Sequence, residues 1–229
     1  MAEPLDYIIF TDGSVRTDRR TGKTYAGYGV VLYNCTTHAY AMFGGELGSR
    51  TISFAESYAI NRAVAKIIDL VSYDVAMPRR VLILTDSKYC VQSYNVWLPH
   101  WKHKAIDGIW VNSKHEPVQN QELIKRTLAN LSGHNNVRVQ ITHINSHLSM
   151  NKSGDLDRII RKLKPYGLKA DQETAKVIIH MNALADQTAT MYSQISKDAG
   201  ETQSFIQLRP KLKYYNGTEI ESYEKEDLS

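Results

Sequence analysis

The chain has 229 residues, of which 42% are hydrophobic, which is enough for one core domain with extensions. Its formal net charge of +4 permits a polyanionic partner without requiring one. Because it has no secretory leader and no apolar run of the ~20 residues that span a bilayer, we expect an intracellular, cytoplasmic protein with no membrane partner.

Two cysteines, Cys35 and Cys90, are too few for a disulfide framework, and neither lies in a CxxC pair. Both stand beside apolar residues of predicted strands or helices. We therefore expect reduced thiols in the core.

The first part of the chain predicts an antiparallel meander. Apolar, β-rich runs at 5–11, 25–33 and 38–44 predict three strands, and a polar, basic loop separates the first two. The first run ends at Asp12-Gly13-Ser14, which is typical of a turn after a strand.

The apolar period then changes to that of a helix. From Ser53 to Val71, apolar residues recur every three or four positions and form one stripe. Ser53 followed three residues later by Glu56 is a capping-box signature, so the simplest interpretation of Glu56 is a helix cap.

The rest of the chain alternates strands and helices. A buried strand at 79–85 ends at Asp86, and Ser87 caps a helix that Pro99 closes. A meander followed by alternating elements predicts an α/β fold with a mixed sheet and helices on its faces. The further elements are a helix at 120–131, a strand at 137–144 and a long helix from about 171 to 195.

Four acidic residues, distant in sequence, are candidates for one site. Asp12 and Asp86 follow strands, at the sheet edge where α/β folds place their sites, and Glu56 begins a helix. Asp186 lies among alanines, which let a helix approach a sheet closely. Clustered carboxylates need a counter-charge, and two Mg²⁺ ions ~3.5–4 Å apart can drive phosphodiester hydrolysis. Taken singly, each acid also fits a cap, a turn or a solvated side chain.

As an ordered set, motifs along the chain resemble those of the ribonuclease H family, specifically type 1, the bacterial-like ribonuclease HI. Each motif alone is weak, but their order over residues 7–147 and 180–192 is specific. They are IFTDGS at 9–14 with Gly27-Tyr28-Gly29, TISFAE at 51–56, LTDSKY at 84–89, the segment from Trp97 to Leu123, INSH at 144–147 and NALAD at 182–186.

The resemblance implies a ribonuclease H-like α/β fold, in which a mixed five-stranded sheet of antiparallel meander and parallel strands carries helices on both faces. It implies an endonuclease that hydrolyses the RNA strand of RNA/DNA hybrids, leaving 5′-phosphate and 3′-hydroxyl ends. Two Mg²⁺ ions, with Mn²⁺ as a substitute, would be held by Asp12, Glu56, Asp86 and Asp186. His147 would be a further catalytic residue, shuttling a proton or aiding product release. The RNA/DNA hybrid is the implied partner, and no obligate protein partner is evident.

The resemblance also implies a surface that binds the substrate. The basic, aromatic segment from Trp97 to Lys114 corresponds to the protrusion with which the family grips the DNA strand. We expect Trp97 to pack inward while the lysines face the duplex; the alternative is core tryptophans with solvated lysines. His143, His100 and His103 match no functional position. The implied substrate contacts are Gly13, Ser14, Ser53, Lys88, Gln92, Trp101, Lys102, Lys104 and Asn182.

The chain departs from the family pattern in two places. Ile52 and Ser53 stand where the family often carries Asn or Gln side chains that contact 2′-hydroxyls, which weakens the prediction of strict RNA recognition. A basic insertion, about 148–180, separates His147 from the last helix. We predict a short helix at 155–163 over the active site, either adding phosphate contacts or forming a solvated lid.

We expect a catalytic domain over residues 1–195 and a C-terminal extension over 196–229. Asn216-Gly217 predicts a hairpin in this extension, and the alternative is a partly disordered tail. The initial Met and the tail favour a free gene product over a piece of a reverse transcriptase, with no separate hybrid-binding module before the nuclease.

Three other functions fit parts of the sequence. A phosphatase of the haloacid dehalogenase type needs a nucleophilic Asp two residues before Asp12, where Phe10 stands. A non-catalytic nucleic-acid-binding module of this fold should have lost a carboxylate, and none is missing. A DNA nuclease or resolvase of the same fold remains open, although the basic, aromatic segment favours a hybrid substrate.

Overall fold

The computed structural model describes residues 4–71, 79–169, 171–199, 213–215 and 220–222. Both cysteines are free thiols, with Cys90 buried and Cys35 half-buried, as predicted. The strands are β1 (Tyr7–Thr17), β2 (Thr24–Asn34), β3 (Tyr40–Gly48), β4 (Arg79–Thr85), β5 (Val137–His143), β6 (Lys213–Tyr215) and β7 (Ile220–Ser222). The α-helices are α1 (Ile52–Val71), α2 (Lys88–Gln92), α3 (Leu98–His103), α4 (Gln121–Ser132), α5 (Ser153–Leu163) and α6 (Gln172–Ala199).

The strands form one mixed sheet in the order β5-β4-β1-β2-β3-β6-β7. β1, β2 and β3 pair antiparallel, whereas β4 and β5 lie parallel on the other side of β1. The expected mixed five-stranded sheet is confirmed. Strands β6 and β7 pair with each other and widen this sheet beyond β3, while Asn216-Gly217 lie outside the described residues.

Strand β1 is longer than the sequence indicated. Asp12-Gly13-Ser14 is not a turn, because these residues continue β1 in register with β2 as far as the Thr17–Thr24 pair. The parallel pairing with β4 stops earlier, at Thr11 and Thr85. Asp12 therefore lies within a strand, immediately past the end of its parallel neighbour, where the edge of the sheet opens.

Side chains of β1 alternate between two core layers. Ile9 packs in the layer that contains α1, and Phe10 in the opposite layer that contains α5 and α6. Continuing this alternation, Asp12 faces the α6 layer and Gly13 faces the α1 layer. This arrangement lets helices from both sides approach one short stretch of β1.

Helix α1 is capped by Thr51 and not by Ser53. The hydroxyl oxygen of Thr51 accepts a hydrogen bond from the backbone N–H of Phe54 at 3.2 Å, and Ser53 lies inside the first turn. The capping-box interpretation of Glu56 is therefore wrong. Its carboxylate is available for another role.

The helical segment after Asp86 does not stop at Pro99. As predicted, Ser87 caps α2, because its hydroxyl oxygen accepts a hydrogen bond from the N–H of Cys90 at 3.2 Å. A π-helical turn, Ser93–Trp97, then joins α2 to α3, and Pro99 occupies the first turn of α3. Proline fits there because a first-turn residue needs no N–H donor.

The insertion before the last helix is folded. Helix α5 covers the predicted stretch and begins two residues earlier. Its apolar residues Leu156, Ile159 and Leu163 are buried in the layer that contains α6, so α5 is part of the core and not a solvated lid. None of the described helices is long and apolar enough to cross a bilayer.

Candidate active site

Gly13 lets the start of α1 approach β1 next to Asp12. A Cβ atom on Gly13 would lie 2.5 Å from the backbone nitrogen of Glu56 and 2.8 Å from the carbonyl carbon of Ala55. Only glycine permits this approach, which brings the backbone of Glu56 against Gly13, the residue after Asp12. The N–H of Gly13 donates to the Asp12 carboxylate at 2.9 Å. Gly13, for which a substrate contact is predicted, is buried between the strand and the helix, where it has a packing role.

Gly29 gives α6 the same access from the other face. On β2, Gly29 is the register partner of Asp12. A Cβ atom there would overlap the carbonyl oxygen of Ala185 and lie 2.7 Å from the backbone nitrogen of Ala189. This close packing brings Asp186, the residue after Ala185, to Asp12.

Asp86 and Ser87 complete the cluster from the end of β4. Asp86 follows the last residue of this strand. The hydroxyl of Ser87 donates to the Glu56 carboxylate at 2.5 Å, and its N–H donates to the Thr85 hydroxyl at 3.2 Å. The cap of α2 therefore also orients Glu56.

Burial, and then repulsion from neighbouring carboxylates, raise the pKa of Asp12, Glu56 and Asp86. Burial, followed by repulsion from Asp86 and Asp186, raises the pKa of Asp12 to about 8. A hydrogen bond to Asp186 adds to this rise, and the N–H of Gly13 opposes it. Burial is also the main cause that raises the pKa of Asp86 and of Glu56. The cluster is thus electrostatically unfavourable without a counter-charge.

Burial raises the pKa of Asp86, and the positive charges of His143 and His147 oppose this rise. His147 is exposed in the loop after β5, in a left-handed backbone conformation with φ of 53°. His143 ends β5 as the register partner of Thr85. His143 matches no motif of the family, so the sequence pattern does not single it out. The feature that could have identified it is its position at the end of β5, a strand parallel to β4.

An open cleft with a volume of about 650 Å³ lies beside the cluster. Its lining is largely polar, and the side chain of Lys88 stands at its rim. Such a cleft can admit a charged polymer backbone. The lining residues are Glu56, Asp86, Ser87, Lys88, Tyr89, His143, Asn145 and Ser146.

The oxygen donors of this cluster fit hard divalent cations such as Mg²⁺. As the side chains stand, no group of three or more His, Cys, Asp or Glu residues in the described ranges is arranged to hold one ion. Asp12 and Asp186 share a hydrogen bond, and Glu56 is bonded to Ser87. Binding of cations to all four carboxylates therefore requires that the hydrogen bond between Asp12 and Asp186 break, whereas Glu56 can keep its bond to Ser87 through one carboxylate oxygen.

Trp101, for which a substrate contact is predicted, is largely buried. Trp101 is only 7% exposed, and it lies between the rings of Trp97 and Trp110 at centroid distances of 5.7 and 6.3 Å. Its ring is part of a small core with Val118 and Ile124. Trp97, expected to pack inward, is half-buried against this core.

Four other predicted contacts are exposed, as substrate binding requires: Lys88, Gln92, Lys102 and Lys104. The remaining three are half-buried. Ser14 accepts a hydrogen bond from the Ser193 hydroxyl at 3.2 Å, Ser53 lies in the first turn of α1, and Asn182 lies one helical turn before Asp186 on α6.

Four acidic side chains lie at the edge of a mixed sheet, beside an open polar cleft, an arrangement that suits metal-dependent hydrolysis of phosphodiesters. The model of the RNase H family matches residues 4–162, and the chain belongs to this family. It is accordingly a ribonuclease H, a hydrolase that depends on divalent metal ions. The matched stretch ends before Asp186, so the place of that residue rests on the contact of α6 with Gly29.

A curated relative agrees with this membership, and two solved structures share the fold. Ribonuclease H of Geotalea uraniireducens is 34% identical over 122 residues, which are 53% of this chain and 70% of that protein. The fold is shared with LC9-RNase H1, a type 1 RNase H with the type 2 active-site motif, at a TM-score of 0.55 and 16% identity over 86% of this chain and 75% of that one. It is also shared with the foamy viral protease-reverse transcriptase, solved with an RNA/DNA hybrid, at a TM-score of 0.55 and 22% identity over 83% of this chain and 20% of that one.

Proposed function

We propose that this chain hydrolyses the RNA strand of RNA/DNA hybrids as an endonuclease, with Asp12, Glu56, Asp86 and Asp186 holding two divalent metal ions. Mg²⁺ is the proposed ion and Mn²⁺ its substitute. The products carry 5′-phosphate and 3′-hydroxyl ends. Membership of the RNase H family supports this substrate, and so does the hybrid bound by the foamy viral relative of the same fold.

The observation that carries the proposal is the close approach of two helices to Asp12 from opposite faces of the sheet. Gly13 admits the start of α1 with Glu56, and Gly29 admits the turn of α6 before Asp186. Larger residues at either glycine would separate the acids. A purely structural sheet has no need for four carboxylates held together, three of them half-buried.

Bound metal ions would neutralise the carboxylates, activate a water molecule and stabilise the leaving oxygen of the phosphodiester. The protein itself orients the carboxylates that would hold the ions. Ser87 holds Glu56 in place, and the N–H of Gly13 holds one oxygen of Asp12. Packing on both faces holds the backbone of all four ligands.

His147 supplies a group that both accepts and donates a proton. It lies close enough to Asp86 for its charge to lower the pKa of that carboxyl group. Its exposed position gives it access to substrate and solvent. We assign it the transfer of a proton at the cleavage site or the release of the cut strand.

The exposed lysines bind the duplex at a distance from the acids. Lys102 and Lys104 project from the end of α3, on the segment built around Trp101. Lys88 lies at the rim of the cleft, one helical turn before Gln92. Contacts with phosphates position a duplex and do not read its sequence.

A second candidate function, cleavage of DNA, is favoured by one residue. Ile52 is apolar and 47% exposed at the start of α1, so its side chain offers no hydrogen bond to a 2′-hydroxyl. RNA recognition would then depend on backbone groups or on Ser14. Substrate choice is therefore the property that the first experiment must measure.

The deciding experiment incubates labelled RNA/DNA, RNA/RNA and DNA/DNA duplexes with the protein in Mg²⁺, Mn²⁺ or EDTA. With either ion, we expect cleavage of only one strand, the RNA strand of the RNA/DNA hybrid. In EDTA we expect no cleavage. End analysis of the fragments should find 5′-phosphates and 3′-hydroxyls.

Two variants control this experiment. Asp12→Asn should lose cleavage but keep hybrid binding, whereas Asp69→Asn, on the exposed side of α1, should behave as the wild type. Cleavage of DNA/DNA in preference to the hybrid would establish the second candidate. Full activity in EDTA, or in Asp12→Asn, would refute the metal-dependent proposal.

A further inference from the structure

The last pairs of β1 and β2 form a two-stranded ribbon that projects past the sheet edge carrying the acids. β4 pairs with β1 only as far as Thr11, and β3 pairs with β2 only from Ala26 onwards. Within the described part of the chain, Arg16 and Thr17 of β1 therefore pair with β2 alone. At ~3.4 Å per residue, the ribbon carries β1 about 17 Å from Asp12 to Thr17.

The loop at the end of this ribbon is folded around Asp18. The N–H of Asp18 donates to the carbonyl oxygen of Lys23 at 2.8 Å, and the N–H of Gly22 donates to the carbonyl oxygen of Asp18 at 2.8 Å. The carboxylate of Asp18 accepts hydrogen bonds from the N–H of Arg20 at 2.8 Å and from the hydroxyl of Thr21 at 2.9 Å. These bonds hold the loop in one conformation.

Residues 16–23, which we call the basic tip, carry most of the chain's net charge. They contain four cations and one carboxylate, a net charge of +3 out of +4 for the whole chain. Asp18 is only 9% exposed, so its charge is turned into the loop. The four cations are all exposed: Arg16, Arg19, Arg20 and Lys23. Such a concentration of exposed positive charge attracts a polyanion.

The basic tip is continuous with the candidate active site. Side chains alternate along β1, so Arg16 projects from the same face as Asp12. The ribbon begins at the edge where the parallel pairing with β4 stops and the acids lie. A nucleic-acid helix that extends from the acids along the ribbon covers its ~17 Å with about five base pairs, at ~3.4 Å each.

We propose that the basic tip binds the phosphate backbone of the RNA/DNA hybrid about five base pairs from the cut. The inference rests on the proposed function, because it takes the ligand to be the duplex that the enzyme cleaves. The guanidinium groups of Arg19 and Arg20 suit phosphates, which they bind with two parallel hydrogen bonds. Asp18 holds the loop and does not touch the substrate.

The test measures binding of an RNA/DNA hybrid of about 20 base pairs in EDTA, where it is not cut, by fluorescence anisotropy over a series of salt concentrations. Each phosphate contact contributes about 0.9 to the slope of log affinity against log salt. The double variant Arg19→Gln, Arg20→Gln should reduce the slope by about 1.8, a loss of affinity about tenfold smaller over a fourfold rise in salt. Replacing both arginines by lysine should keep most of the slope, and kcat at saturating hybrid should be unchanged in both double variants.

The matched control is the double variant Arg138→Gln, Lys176→Gln. It also removes two cations, one at the start of β5 and one near the start of α6, at the opposite edge of the sheet from Asp12. Its slope should equal that of the wild type.

Asp18→Ala separates the shape of the loop from its charge. This variant makes the tip more positive but removes the hydrogen bonds that fold it. We expect weaker binding of the hybrid, with an unchanged melting temperature because the loop lies outside the core. Tighter binding would show that net charge alone acts there and would overturn the inference.

An unchanged slope in Arg19→Gln, Arg20→Gln would also overturn the inference, and it would leave the proposed function standing if the wild type cuts the hybrid. A slope reduced equally in the control variant would overturn it as well. A wild type that neither binds nor cuts the hybrid would refute both.

Discussion

The backbone nitrogen of Glu56 lies so close to Gly13 that a Cβ atom on the glycine would stand 2.5 Å from it. Gly13→Ala must therefore push the start of α1 away from β1. We expect a loss of about 1–3 kcal/mol in the free energy of unfolding, as for other overpacked sites. Because the shift moves Glu56 relative to the strand that carries Asp12, kcat should fall even at temperatures where the variant is folded. Thermal unfolding and hybrid cleavage measure the two effects.

Gly154→Ala controls for the added methyl group. No atom lies within 4 Å of a Cβ atom on Gly154, in the first turn of α5. Alanine should stabilise the helix by about 0.5–1 kcal/mol and leave cleavage unchanged. If Gly13→Ala behaved like this control, the close packing of α1 would not be what places Glu56.

The pKa of Asp12 makes the stability of the metal-free protein depend on pH. This pKa is raised from 3.8 to about 8 on folding, so between these values the folded state holds a proton that the unfolded chain releases. Stability should therefore fall as the pH rises through this window. Asp12→Asn cannot ionise, so its melting temperature in EDTA should fall less with pH and exceed that of the wild type at the alkaline end.

Added Mg²⁺ should raise the melting temperature of the wild type most at the alkaline end, because cations bind the ionised carboxylates. Asp69→Asn again serves as the control, with wild-type behaviour throughout. Equal pH dependence in EDTA for the wild type and Asp12→Asn would contradict the raised pKa.

Much of this site could be predicted from the sequence because its acidic residues occupy recognisable positions relative to the predicted strands and helices. Asp86 follows a clear strand, and Asp186 lies among small residues. The extent of β1 could not be predicted, since Asp12-Gly13 is a strong turn signal and only the partner strand β2 shows that pairing continues. Propensity is local, whereas the role of Gly13 depends on a helix forty residues later in the chain.

Burial was the other property that sequence patterns failed to predict. Trp101 stands in a basic segment that suits nucleic-acid contact, but three tryptophans there pack into a core of their own.

The loop that carries His147 is anchored to α5 by Asp155. The carboxylate of Asp155 accepts a hydrogen bond from the N–H of Ser149 at 3.1 Å, two residues after His147. We expect His147→Ala to lower kcat by about 100-fold, the lower range for loss of a proton-transfer group.

Asp155→Ala should lower kcat less and leave KM unchanged, because it frees the loop without removing the imidazole. Asp157→Ala, exposed on the same helix, should have no effect on kcat. Equal rates for Asp155→Ala and the wild type would show that the anchor does not position His147.

Replacements around α3 should separate packing from substrate binding. Trp101→Ala removes a ring that is 7% exposed and should cost about 3–5 kcal/mol of stability, seen as a lower denaturant midpoint.

Lys102→Ala and Lys104→Ala alter exposed side chains, so stability should be unchanged. Each lysine variant should instead raise KM for the hybrid and reduce the salt slope of binding by about 1 if it removes one phosphate contact. Lys114→Ala, another exposed lysine beyond this helix, tests whether net charge alone explains the effect. A double variant of Lys102 and Lys104 with an unchanged salt slope would show that the duplex does not reach α3, and would confine the substrate to the cleft beside Lys88.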